Sequence, residues 1–179
     1  PSQQKDALDW PLPVHRLDSP TSGLLLIAKT KQARIQLGQQ FENKTIQKRY
    51  RAIAAGQTPK SGEWNTPVEG AKALTTFKTV KTIPSLQNEW LSLVDLFPHT
   101  GRTHQLRIHL SEAGFPIVGD KIYGKEGNTL KGKGLFLTAV ELKFFHPVHQ
   151  NEVCLKIDMP HKFDSLIERE VRRWGKFKR

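Results

Sequence analysis

Runs of strand-forming residues that follow one another across short turns constrain this chain most. Residues 73–83 and 88–97 read as two strands around a Pro84-Ser85 turn. Residues 45–55 alternate as a strand does, with Ile46, Lys48, Tyr50, Ala52 and Ala54 on one side and the intervening residues on the other. Residues 135–145 and 152–157 form a further pair, parted by His146-Pro147. Residues 24–28 are a short continuous apolar run, the pattern of a central strand. Helical spacing is rarer. Thr30 can cap a helix over 31–43, with Ala33, Leu37 and Phe41 on one face. A second helix is expected over 103–113, with Leu106, Leu110 and Ala113 facing inward and Gly114 as its stop. Pro160 opens a third through Trp174, with Phe163, Leu166, Ile167, Val171 and Trp174 as its apolar side. Strands that predominate and neighbour one another in sequence give an α+β class, a mixed and largely antiparallel central sheet flanked by helices. With no repeat and no linker, residues 1–179 read as one domain.

Charge narrows the partner. The 28 Lys and Arg residues outnumber 17 Asp and Glu, a formal net charge of +11, which suits a polyanion, nucleic acid before an anionic membrane. The basic residues collect at 44–51, in the loop 121–133 and in the tail 169–179. Residues 119–134 hold five glycines and four lysines and read as a mobile basic loop. No apolar run reaches the length of a membrane span, and the first residues are polar, so a cytoplasmic protein is expected. The single cysteine, Cys154, excludes an internal disulfide, and its apolar neighbours suggest a buried structural thiol.

Two segments carry candidate chemistry. In Val14-His15-Arg16-Leu17-Asp18-Ser19-Pro20-Thr21-Ser22-Gly23, one acid sits between an arginine and a run of turn formers. Such an acid can close an Asx turn, or it can serve as a nucleophile or general base. Gly101-Arg102-Thr103-His104-Gln105-Leu106-Arg107-Ile108-His109-Leu110 supplies arginines able to pair with it. His99, His104 and His109 recur every five residues, but that step turns a helix by roughly 500°, so His104 and His109 point about 140° apart and make no metal pair. His104 is expected near the site or RNA, and His109 at the surface.

Taken with Lys48-Arg49-Tyr50, these segments resemble the signature of the RluA family of pseudouridine synthases. The stretches Gly114-Phe115-Pro116-Ile117-Val118-Gly119-Asp120, Tyr123-Gly124, Leu135-Phe136-Leu137-Thr138-Ala139 and Phe144-Phe145-His146-Pro147 resemble that family's continuation. The resemblance implies an RNA-modifying isomerase acting on structured ribosomal or transfer RNA, without metal or cofactor. It makes Asp18 the essential catalytic carboxylate, Arg107 its paired cation, and Tyr50 the aromatic beside the base. Arg16, Arg102, His104 and Leu137 are the substrate-side candidates. A monomer is expected. The alternative is a non-catalytic RNA-binding or RNA-folding module on the same scaffold. The family's usual early Lys-Pro-x-Gly strand and small amino-terminal RNA-binding domain are missing from these residues, which suggests a truncated or minimal member.

Overall fold

The computed structural model describes residues 6–125 and 132–178. Nine strands and three helices are defined among them. The chain opens with β1 (Ala7–Pro13), β2 (Ser22–Gly23) and β3 (Ile27–Thr30), then α1 (Lys31–Glu42) and β4 (Gln47–Ala55). β5 (Ser61–Trp64), β6 (Thr75–Ser85) and β7 (Glu89–Pro98) lead to α2 (Gln105–Glu112). β8 (Leu137–Phe145), β9 (Glu152–Lys156) and α3 (His161–Phe177) complete it.

Seven strands form one sheet in the order β2-β8-β4-β7-β6-β5, with β9 also on β8. Every pairing is antiparallel except β2 with β8, so the expected mixed, largely antiparallel α+β class is what forms. The main core gathers Ala52, Val94, Leu96, Leu110 and Leu137 from the sheet and α2 with Phe163 and Leu166 of α3. A smaller core of Leu37, Ile46, Leu142 and Phe144 seats α1.

Local sequence explains the caps. Thr30 Oγ1 accepts from the Ala33 N–H at 3.1 Å and starts α1 as expected. Gly114, at φ +85°, ends the α2 segment in the left-handed region.

Several expectations are corrected. Residues 24–28 are not a central strand: after Leu24 donates to the Ala139 carbonyl (3.0 Å), the chain leaves the sheet, and β3 pairs with β1 in a separate two-stranded ribbon. Pro11 and Pro13 hide β1 in the sequence, because proline is tolerated in a strand only where its missing N–H is not needed. The hairpin turn lies at 86–88, with Pro84 and Ser85 still inside β6. β5 is an unexpected edge strand in a Gly- and Ser-bearing stretch, anchored by Trp64 stacked on Phe77 with centroids 4.0 Å apart. Cys154 is exposed rather than buried, since β9 lies at the rim of the sheet. The helix α3 runs on through the basic residues to Phe177. Much of the expected basic loop, 126–131, lies outside the described residues. Among the described residues no helix is long and apolar enough to cross a membrane.

The two-residue strand β2 positions everything downstream. Gly23 pairs with Ala139, and Ala139 pairs on its other side with Tyr50, so the three stand in one row across the sheet. A Cβ at Gly23 would lie 2.2 Å from the Ala139 carbonyl oxygen and 2.5 Å from its nitrogen, and φ is +115°. Gly23→Ala therefore meets backbone on one side and strained dihedrals on the other, the latter alone worth roughly 1–3 kcal/mol. The variant should unfold at lower denaturant than the parent. A denaturation midpoint equal to the parent's would show that β2 does not need this close approach.

Candidate active site

Asp18 sits in a turn pinned at several points. The Thr21 N–H donates to the Asp18 carbonyl at 2.7 Å, closing the Ser19-Pro20 turn. On one flank the Val14 N–H donates to the Leu26 carbonyl (3.1 Å) and the Leu26 N–H to His15 Nε2 (3.0 Å). On the other flank stands the β2–β8 pairing. The carboxylate is thus held at a loop tip by backbone on both sides, with its side chain one-fifth exposed.

A cavity of about 180 Å³ opens at this loop. Asp18, Arg16, Thr21, Tyr50, Arg102, Gln105 and Leu137 are among its walls. Alternation along β4 directs Tyr50 here, while Arg49 and Arg51 lie on the other face, bonded to Asp95 and Glu141. Burial first, and then the charge of Asp18, push the Tyr50 phenol up to about 12. The phenol is therefore protonated at neutral pH and can donate a hydrogen bond. Arg16 Nη2 donates to Thr103 Oγ1 at 2.9 Å, tying the first motif to the second. Arg102 Nε donates to the Lys72 carbonyl at 3.2 Å.

Of the sequence candidates, Asp18, Tyr50, Arg16, Arg102 and Leu137 meet around this one cavity. His104 stands close by, its Nε2 4.0 Å from Asp18 Oδ1. It is a non-glycine residue at φ +55° just before α2, and its Nδ1 shares a 3.0 Å hydrogen bond with the Tyr123 hydroxyl. Backbone held in this region at a cavity rim is costly and needs surrounding support.

Arg107 departs from expectation. It makes no hydrogen bond or ion pair with Asp18. Its Nε and Nη2 instead donate to Asp120 Oδ2 (2.7 Å) and Oδ1 (2.8 Å). Both side chains are buried, at 2% and 0% exposure. The Ile122 and Tyr123 N–H groups also donate to Asp120 Oδ1, at 2.9 and 3.0 Å. A carboxylate already fixed by backbone donors is the better partner for a buried guanidinium, because it arrives desolvated and oriented. Asp18 reaches Arg107 only through space, as one of the charges that raise the guanidinium pKa behind the Asp120 hydrogen bond. His109 is corrected as well: it is 1% exposed, with Nδ1 on Thr75 Oγ1 and Nε2 on the Thr66 carbonyl.

Residue-type reasoning missed several participants. Asp120 stands in the sequence as one member of the Gly114–Asp120 stretch, with nothing beside it that marks it as a partner for Arg107. Thr21 carries a buried hydroxyl with no hydrogen-bond partner at the cavity wall. Gln105, 3% exposed, joins α2 to the sheet through the Leu74 carbonyl (3.0 Å) and Thr75 Oγ1 (3.0 Å). The one signal for Asp120 is its place after Gly119, itself at φ +80° and too close to Gly134 for a side chain.

Known proteins resemble most of this chain. The family described as RNA pseudouridylate synthase matches residues 2–112. A ribosomal large subunit pseudouridine synthase C of Rickettsia bellii is 38% identical over 170 residues, covering 86% of this chain and 55% of that protein. An uncharacterized RNA pseudouridine synthase of Bacillus subtilis is 35% identical over 165 residues, covering 86% and 54%. The chain thus spans about half the length of these relatives. In structure, human RNA pseudouridylate synthase domain containing 4 superposes with a TM-score of 0.73 at 24% identity, over 90% of this chain and 76% of that one, and shares the fold.

Asp120→Asn should leave Arg107 buried opposite a neutral amide. Breaking a buried pair costs about 3–5 kcal/mol, so the urea midpoint at neutral pH should fall sharply. The Asp120 carboxyl, although burial raises it, is held below its usual 3.8 by Arg107 and the two backbone N–H donors. A depressed carboxyl contributes stability above its unfolded value and loses it as pH falls through the folded one. The parent should therefore lose stability below about pH 4 more steeply than Asp120→Asn. Parallel stability-versus-pH curves for the two would remove Asp120 from this role.

Proposed function

Because the chain belongs to the RNA pseudouridylate synthase family, we propose that it isomerises a uridine of structured RNA to pseudouridine, with Asp18 as the essential group. The observation that carries this reading is the shared cavity, in which a loop-held carboxylate and a protonated tyrosine stand together among arginines. Large-subunit ribosomal RNA is the first substrate to test, since the Rickettsia relative is named for it. Transfer RNA is the second. A net charge of +11 suits either.

The reaction breaks the C1′–N1 bond, turns the uracil, and joins C1′ to C5; the C5 proton leaves and N1 gains one. Asp18 acts either as a nucleophile or as a base on the sugar, and both routes need it ionised. Tyr50 stacks on the uracil, and its hydroxyl relays the C5 proton, taking it at oxygen as its own proton passes to the Asp18 carboxylate. Leu137 supplies an apolar wall. Arg16 and Arg102 hold phosphate or fill the space that a flipped uridine leaves. Arg107, fixed in position by Asp120, stands behind Asp18 and meets its charge only at longer range. His104, steadied by Tyr123, orients the Asp18 carboxylate. Side chains carry all these steps without a cofactor, one chain supplies them, and the cytoplasm is where ribosomal and transfer RNA meet it.

Pseudouridine mapping of RNA from cells with and without the protein tests the assignment and names the uridine. On that substrate Asp18→Asn should lose at least about 10²-fold in turnover while binding RNA normally. Tyr50→Phe should bind and turn over slowly, and Tyr50→Ala should lose both stacking and proton transfer. Normal turnover by Asp18→Asn would sink the mechanism. An unmodified RNA pool that the protein nonetheless binds would favour the non-catalytic module.

A further inference from the structure

Beside the first cavity lies a second and larger one, about 650 Å³, in the angle between the α1–β4 turn and the end of β7. The two share Phe41, Lys48 and Pro98 as walls, so one opens next to the other. Three features of the second cavity go unused by the chemistry above. Its ionisable walls are Lys44, Lys48 and His99, with no carboxylate among them. Among the described residues neither lysine has an ion-pair partner, whereas Arg49 and Arg51 on the opposite face of β4 are both neutralised. Burial destabilises the Lys48 ammonium, a cost that an arriving anion would offset. Finally, Phe97 is only half-buried, and its ring meets no other aromatic among the described residues. Phe41, by contrast, already stacks on His15 at 4.6 Å.

We propose that this second cavity seats the nucleotide adjacent to the target uridine, with the linking phosphate on Lys48 and the neighbouring base against Phe97. The placement follows from connectivity. Two successive nucleotides in adjoining cavities are joined by one phosphodiester, which must cross the shared wall, and Lys48 is the cation in that wall. A point-charge ammonium and an unpaired aromatic ring are the two elements by which proteins hold single-stranded RNA. Lys44 lies farther along the same cavity and takes the next phosphate. The inference rests on reading the first cavity as the uridine's, and it adds that the RNA enters as an unpaired strand at least two nucleotides long.

The test is direct binding, independent of isomerisation. Uridine and the trinucleotide UpUpU are titrated into the whole chain and into Lys48→Met, Phe97→Ala and Lys44→Asn. Lys44→Asn is the safeguard against misfolding, because Lys44 is exposed at φ +58°, a conformation that asparagine tolerates. The parent should bind UpUpU more tightly than uridine. Phe97→Ala should weaken UpUpU by about tenfold, the size of one base–aromatic stack. Lys48→Met and Lys44→Asn should each lower the slope of log affinity against log salt by about 0.7. Uridine affinity should change little in Phe97→Ala and Lys44→Asn. Equal affinity of the parent for uridine and UpUpU, or parental UpUpU binding by folded Phe97→Ala and Lys44→Asn, overturns the proposal. A parallel turnover assay separates the two readings. Isomerisation without any effect of these variants on RNA affinity sinks the second cavity alone. Variant-sensitive RNA binding without isomerisation sinks the function and leaves the groove as an RNA site.

Discussion

The buried pair of Arg107 and Asp120 is the interaction on which the site depends. Asp120 accepts four hydrogen bonds, two from one guanidinium and two from the backbone of Ile122 and Tyr123. Moving two charges out of water is costly, and the geometry must return that cost in full. Here it does so by fastening α2 to the 120–123 turn. The same turn carries Tyr123, whose hydroxyl bonds His104 and whose ring lies under the Arg107 guanidinium, 5.1 Å from its carbon. Helix, turn and histidine are therefore joined to one another. A sequence motif read as supplying a partner for Asp18 turns out to build the wall behind it.

Asp18 itself is placed by the sheet. The row Gly23, Ala139, Tyr50 crosses β2, β8 and β4, so the loop ending at Gly23 and the tyrosine on β4 share one reference strand. A one-residue slip of β2 would carry the loop along β8 and turn Ser22 and Gly23 to opposite faces. Two residues make a weak strand by themselves. The absence of a Cβ at Gly23 lets the backbones approach, and flanking bonds from Val14, Leu24 and Leu26 supply the rest.

Much of this was legible in residue order. The alternation of 45–55, the Thr30 cap, the Gly114 stop and the apolar stripe of Phe163 and Leu166 all act locally, and local physics reads them. What stayed hidden was decided across the fold. Pro11 and Pro13 argue against a strand until β3 supplies a partner that does not need their N–H groups. Periodicity locates His109 on a helix, but it takes Thr75 and Thr66 to bury it. Arg107 shows the same limit at the site. Sequence can say that an arginine beside Leu106 and Leu110 wants a carboxylate, yet only the path of the chain after Gly119 decides between Asp18 and Asp120.

Charge is distributed with the same economy. β4 carries three cations, Lys48, Arg49 and Arg51, and its two faces treat them differently. Arg49 and Arg51 share Asp95, and Arg49 also reaches Glu141, so one face is a closed ionic network. The face holding Tyr50 has Lys48 and no acid but Asp18 nearby. The excess positive charge of the chain is thus not spread evenly over this strand. It is cancelled where the sheet needs cohesion and left free beside the cavity. At physiological salt, exposed charges are screened within about 8 Å, so distant lysines steer a polyanion only weakly. A half-buried ammonium at the cavity wall escapes most of that screening. An anion arriving near Asp18 would therefore meet the field of Lys48 more than the total of +11.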